Sequence, residues 1–485
     1  MSNRNRTRTT LIVVGLFLIQ IACQTLTGPR PTQPPPVSPA TASPATTAPS
    51  PTAVPPMVRP TEAQVPETKP SGEASLACFG SFGYGITCIE NNEWVNYSKQ
   101  AGTLSGDLVK DIAVCPGGER LVLNTSGVNL FDGVNWRNYE EGWGYSSAEA
   151  IACGAYDDFW VAHYQGVSHF DGTTWQTFTV KEALSTDPEA YESVNDIAIA
   201  PDSAVWVVTV NSIAVFAKEK WTVYEEGAGF DDKYYFEGIA FDSRGDPWII
   251  SSSGLHHRAG WSWDFYPSAD YTTPQSIAVD RQDRVWVGTL SNGLLLFENE
   301  SWLMFTPQNS PLASYNVSAL AVDAAGRIWV GTTWGAHVIE DETWTDYQMS
   351  NSDLADDNIV AIAVAGAGPV LPTAQQKAPG ALTGRLIDAD GDPLANATLE
   401  VCVETIYSSY RGATPCEGHP YMRDAVSNAD GAFTIENLPS GFYNLAIQTG
   451  DTWVLYSSRS HGSSERFLVP AGKTVDLGEI IVGQE

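Results

Sequence analysis

Side chains able to do chemistry are sparse in this sequence, and their spacing is uninformative for catalysis. The seven histidines, His163, His169, His256, His257, His337, His419 and His461, show no metal-ligand spacing beyond the adjacent pair. No Gly-x-Ser-x-Gly elbow, phosphate loop or Cys-x-x-Cys is present. His163 takes the slot that Thr289 and Thr332 fill in related segments, which implies a strand residue. No catalytic residue, metal or cofactor is expected. An enzyme stays open as an alternative only because residues converging from several repeats would escape a local motif search.

Cysteine says more. Cys23 follows Arg4, Arg6, Arg8 and the apolar run Leu11–Ala22, the layout of an export signal over residues 1–23 that is too short to span a bilayer. The other six are Cys78, Cys88, Cys115, Cys153, Cys402 and Cys416, and an even count in an exported chain favours disulfides. Cys402 and Cys416 are the only two in the C-terminal segment. Cys78 and Cys88 fall on facing strands of one hairpin, and direct opposition there requires an odd loop of three or five residues. Cys115 and Cys153 sit one register apart on neighbouring inner strands. Sequence alone leaves the 15 pairings of six thiols open.

Gln20-Ile21-Ala22-Cys23 resembles a bacterial lipobox, with Gln20 in place of the usual leucine. The resemblance implies lipidation at Cys23 and an anchor on the outer side of a membrane of the cell envelope; a cleaved signal or a retained anchor are the alternatives. Residues 24–75 hold 14 of the chain's 30 prolines, all between Gly28 and Ser75, and almost no large apolar residue, so they read as an extended, disordered spacer. A formal charge of −31 argues against nucleic acid as a partner, since phosphate binding needs clustered Lys and Arg.

These elements carry a repeat. Trp-x-x-aromatic recurs at Trp94, Trp136, Trp175, Trp221, Trp263, Trp302 and Trp344, at spacings of 42, 39, 46, 42, 39 and 42 residues, the period of a four-stranded propeller blade. An apolar strand of the type Ser276-Ile277-Ala278-Val279 recurs equally often. Twelve of the 16 tryptophans occupy two strand positions, which points to packing between blades. The first unit, from Leu76, lacks its inner strand, and the last consists only of Ala361–Val364. Joined, they complete one blade, so the expected fold is all-β: a seven-bladed β-propeller over 76–365 closed by strand exchange.

The pattern Asn309-Ser310-Pro311-Leu312, Ala319–Asp323 and Gly326–Thr332 resembles the two-component regulator propeller repeat. After a linker over 366–379, residues 380–485 resemble a carboxypeptidase regulatory-like domain on Gly384, Asp388, Gly391, Pro393, Asp430, Gly431, Phe433, Pro439, Gly441 and Tyr443. That resemblance implies an immunoglobulin-like β-sandwich with a structural or adhesive role. Asp388-Ala389-Asp390-Gly391-Asp392 departs from a calcium loop in having glycine fourth, and reads as a turn.

Function then falls to loops. The links between a fourth strand and the next first strand are long and bring Trp143, Tyr145, Tyr191, Phe230, Tyr234 and Tyr235 to one rim, where Trp334 arrives from a second-to-third-strand turn. Aromatics among carboxylates suit an extracellular glycan, peptide or protein, and the expectation is a lipid-anchored surface binding protein. The alternatives are a passive surface or assembly protein, or a propeller lyase.

Overall fold

The computed structural model describes residues 75–482 except 140–146, 156, 186–192, 225–234, 261, 269–272, 404–413, 418–421, 451 and 457–465. The expected signal, lipidation site and spacer, residues 1–74, thus lie outside the described residues, Cys23 among them. No helix among the described residues is long and apolar enough to cross a membrane.

Residues 76–365 form a β-propeller of four-stranded antiparallel sheets, of which seven are seen among the described residues. In the sheet that contains the repeat at its clearest, Pro274–Val279, Val285–Thr289, Leu294–Glu298 and Ser301–Phe305 pair in sequence order. The tight turns need backbones that few residues tolerate: Asn299 and Glu300 both have positive φ, as a two-residue hairpin with right-handed twist demands. Gly293 shows the second constraint, since a Cβ there would come within 2.2 Å of the Phe305 carbonyl oxygen.

Each innermost strand contacts the innermost strands of both neighbouring sheets. The last of them, Ile359–Ala365, pairs antiparallel with Leu76–Ser81, the first strand of the chain's described part, in the register Phe79↔Ile362. It also contacts both Val317–Val322 and Val109–Val114, so the inner strands surround one axis. Aromatic pairs fill the wedges between sheets: Tyr97 with Trp136 at 5.2 Å, Phe178 with Trp221 at 5.4 Å, and across the join of the two chain ends Trp94 with Tyr347 at 5.2 Å. Edge-to-face and tilted contacts of this kind add to burial by area.

Three disulfides are present: Cys78–Cys88, Cys115–Cys153 and Cys402–Cys416. Cys78 stands directly opposite Cys88 because the pairing Gly80↔Ile86 leaves an odd loop, residues 81–85. Cys115–Cys153 ties one inner strand to the next sheet.

The C-terminal segment has two sheets. Ala432–Leu438, Gly380–Ile387 and Thr474–Ile481 make one; Met422–Val426, Thr398–Cys402, Gly441–Thr449 and Thr452–Leu455 make the other, with Phe467–Val469 also paired to Gly441–Thr449. Leu382, Leu386, Phe433 and Ile435 of the first pack against Leu399, Val401, Tyr443, Leu445 and Ile447 of the second in one buried core. The Asp388 loop is a turn, its carboxylate accepting the backbone N–H groups of Asp390 and Asp392.

Candidate functional site at the mouth of the axial channel

Every innermost strand begins the same way. A buried residue is followed by a β-bulge, one extra residue that the second strand does not match: Lys110, Glu149, Asn195, Glu237, Gln275, Ser318 and Val360. Each has a buried neighbour before it and is itself accessible. A bulge bends the strand and re-aims a side chain. Six of these seven residues are polar, Val360 being the exception, and all lie at the start of an inner strand, on the face where the fourth-to-first links enter.

These side chains reach from sheet to sheet. Lys110 Nζ meets Glu149 Oε2 at 3.0 Å, Asn195 donates to the Phe236 carbonyl at 2.6 Å, and Ser318 Oγ donates to the Ile359 carbonyl. One residue deeper lie Asp111 and Asp196. Each carboxylate accepts its own strand's N–H, at Ile112 or Ile197, and one from the next sheet, at Ile151 or Ile239. Burial pushes Asp111 up to about 7 and Asp196 up to about 6, against the pull of those N–H groups, and Asp196 adds repulsion at Asp111. Burial also raises Glu237. Among the described residues of the bulge ring, Glu149 and Glu237 are the acidic side chains and Lys110 the basic one, and burial disfavours charge on the Asp111 and Asp196 carboxyls beneath them.

Of the rim aromatics expected from sequence, Trp143, Tyr145, Tyr191, Phe230 and Tyr234 lie outside the described residues. Tyr235 is 60% exposed and immediately precedes the inner strand Phe236–Phe241, so it stands beside Glu237 at this mouth. Trp334 corrects its expectation: only 7% exposed, it is buried in the core of the C-terminal sheets beside Leu438 and Tyr443 and offers no ring to a ligand. The C-terminal sheets thus cover one sector of the link face. Arg466 binds Asp356 there with contacts of 2.6 and 3.3 Å, and Phe442 lies tilted against Tyr84 at 4.3 Å.

His163 is buried, with Nε2 3.0 Å from Ser168 Oγ. The opposite face carries the short Asp-x-x-Gly turns and an open cleft of about 420 Å³, lined by residues such as Asp242, Asp280, Arg281 and Asp323. Residue identity did not mark the bulge ring.

Residues 311–334 match the family described as two component regulator propeller. No curated protein matches the chain. Similar solved structures include the extracellular domain assigned to a hybrid two-component system from B. thetaiotaomicron, 12% identical over 58% of this chain and 47% of that one, with a TM-score of 0.38. PorZ, a surface component of the type-IX secretion system of Porphyromonas gingivalis, is 14% identical over 80% of this chain and 63% of its own, at 0.43. Virginiamycin B lyase from Staphylococcus aureus is 12% identical over 50% and 84%, also at 0.43. The chain spans about half the length of the two-component extracellular domain.

Proposed function

We propose that this chain is an exported surface protein, lipid-anchored at Cys23, whose seven-bladed propeller closes by strand exchange and binds an extracellular ligand at the link-side mouth of its channel. The C-terminal sheets are an immunoglobulin-like module of the carboxypeptidase regulatory-like kind that braces one sector of that face. Three disulfides fit an oxidising compartment outside the cytoplasm.

The observation that carries the binding reading is the bulge ring. A passive spacer has no use for an accessible polar residue at the start of the inner strand in six of seven sheets, whereas a ligand held at a channel mouth needs groups contributed by several of them. Glu149 and Glu237 above Asp111 and Asp196, with the Tyr235 ring alongside, suit a cationic or hydroxyl-rich ligand: a basic peptide segment, on a protein or free, or a glycan. The full chain applied to peptide and glycan arrays should select such ligands, and Glu237→Gln should weaken the selected one. Binding that ignores Glu237 and Tyr235, or a complete lack of selection, would return the propeller to the role of an assembly module.

A further inference from the structure

The repeat offers its own controls for one cluster on the opposite face. In two sheets, Asp280 and Asp323 cap the first turn with one carboxylate oxygen. With the other, each accepts an arginine Nε at 2.7 Å, from Arg284 or Arg327, and an indole N–H at 2.9 Å, from Trp286 or Trp329. A guanidinium neutralises each buried carboxylate. In the sheet that starts at Ala148 the solution differs: Asp158 takes the arginine position and holds His169 Nε2 at 2.7 Å, the imidazole lying flat on Trp160 at 4.1 Å. There the turn position is Gly154, so one carboxylate meets one imidazole.

The sheet that starts at Phe236 combines both solutions and lacks the guanidinium. Asp242 holds the turn, Asp246 stands where Arg284 and Arg327 stand, and His257 lies flat on Trp248 at 4.1 Å. A second carboxylate, that of Asp246, now comes within 4.8 Å of the same imidazole. Asp242 Oδ1 accepts the N–H groups of Arg244 and Asp246 at 2.9 Å each, while Oδ2 lies 3.5 Å from His257 Nε2. That Nε2 is buried without a hydrogen-bond partner. So is the indole nitrogen of Trp248, a side chain only 8% exposed, although its counterparts donate to the turn carboxylate.

We propose that Asp242, Asp246 and His257 bind a divalent first-row transition-metal cation such as zinc, in the place where the sister sheets put a guanidinium. Their ligand atoms all lie within 4.8 Å of one another. Metal–ligand bonds of about 2.0–2.2 Å in a tetrahedron put neighbouring ligand atoms roughly 3.3–3.6 Å apart. The 3.5 Å between Oδ2 and Nε2 is long for a hydrogen bond and right for that edge. An imidazole ligand selects zinc and its neighbours over magnesium or calcium. Asp242 and Ser243 line the open cleft, which gives the ion an entry path and a fourth ligand from water.

The test uses the full chain, stripped with a chelator and titrated with zinc in a calorimeter, with metal content read by mass spectrometry. One equivalent per chain is expected, and His257→Gln and Asp242→Asn should each weaken binding at least tenfold. His169→Gln, in the sister sheet whose turn lacks the carboxylate, should leave binding unchanged. The double variant Asp246→Arg with His257→Leu recreates the Arg284 and Leu296 arrangement and should fold without zinc affinity. No stoichiometric binding, or binding equal in His257→Gln, overturns the site.

Discussion

Trp334 and Phe442 are exchanged across the junction between the propeller and the C-terminal sheets. Trp334, from a turn of the propeller, is buried in the C-terminal core with Leu382 and Tyr443. Phe442, from the strand Gly441–Thr449, is buried among Phe79, Met349 and Leu354 of the propeller. Each side fills the other's gap, and Gly441 makes room: a Cβ there would meet Asp357 Oδ2 at 3.2 Å and the Trp334 ring at 3.7 Å.

Arg466 locks this exchange. Its guanidinium binds both oxygens of Asp356, whose side chain is fully buried, and lies 4.8 Å over the Phe442 ring. Removing one partner of such a pair leaves a buried charge and costs about 3–5 kcal/mol. Arg466→Met should therefore loosen the junction, split the melting profile into two transitions, and open residues 366–379 to protease. A single unshifted transition would show that the pair does not hold the halves together.

Closure can be tested in the same way. Deleting Ala361–Val364 removes the pairing with Leu76–Ser81 and exposes the edge of that sheet. The melting temperature should fall far more than when four residues are removed from the proline-rich stretch before Ser75. Equal values for the two deletions would contradict closure by this strand.

Disulfide connectivity is open to direct measurement. Peptide mapping without reduction should recover Cys78–Cys88, Cys115–Cys153 and Cys402–Cys416 as linked pairs. A free Cys115, or Cys402 joined to a propeller cysteine, would be incompatible with the fold described.

How far residues alone led can be judged from three places. Trp-x-x-aromatic and the Gly- and Asn-marked turns are legible because each records a local need, packing in a wedge or a positive φ. The Cys78–Cys88 bridge was legible only up to loop parity, which the five-residue loop decides. The bulge ring was invisible: Lys110, Glu149, Asn195, Gln275 and Val360 share no chemistry, only a slip in backbone register. Trp334 was misplaced because what covers it lies a hundred residues further along the chain. His257 was passed over since its partners, Asp242 and Asp246, flank a turn between two other strands of the sheet.

Two sets of titratable groups give opposite pH dependence. Burial lowers His163, His256 and His337 from 6.5 to about 4, so each neutral imidazole favours the fold above pH 6.5, and that contribution is lost as pH falls toward 4. His337 Nε2 accepts the Ala313 N–H at 3.1 Å, which protonation would end. His337→Gln should flatten the acid limb of melting temperature against pH. Asp111 and Asp196 are raised above 3.8, so their contribution is full below that value and is lost as pH rises through about 6 to 7. The stability of Asp111→Asn relative to the parent should accordingly improve from pH 4 to pH 8, and a constant difference would mean the carboxyl titrates normally.

The face that binds can be decided by pairing substitutions at the two ends of the channel. Tyr235 is exposed and next to the bulged Glu237, so it can stack on a ligand without supporting the fold, and its loss as a hot-spot ring is expected to cost about 2 kcal/mol or more. Tyr235→Ala combined with Glu237→Gln should weaken an array-selected ligand at least tenfold, about 1.4 kcal/mol or more, with an unchanged melting temperature. Arg281→Ala, in the cleft at the far face, should leave that affinity intact. The reverse outcome, with affinity lost at Arg281 and retained at Tyr235 and Glu237, would move ligand recognition to the Asp-x-x-Gly face. Zinc titration of both variants then separates the two sites: the metal should bind equally well to each, because neither residue belongs to the Asp242, Asp246 and His257 set.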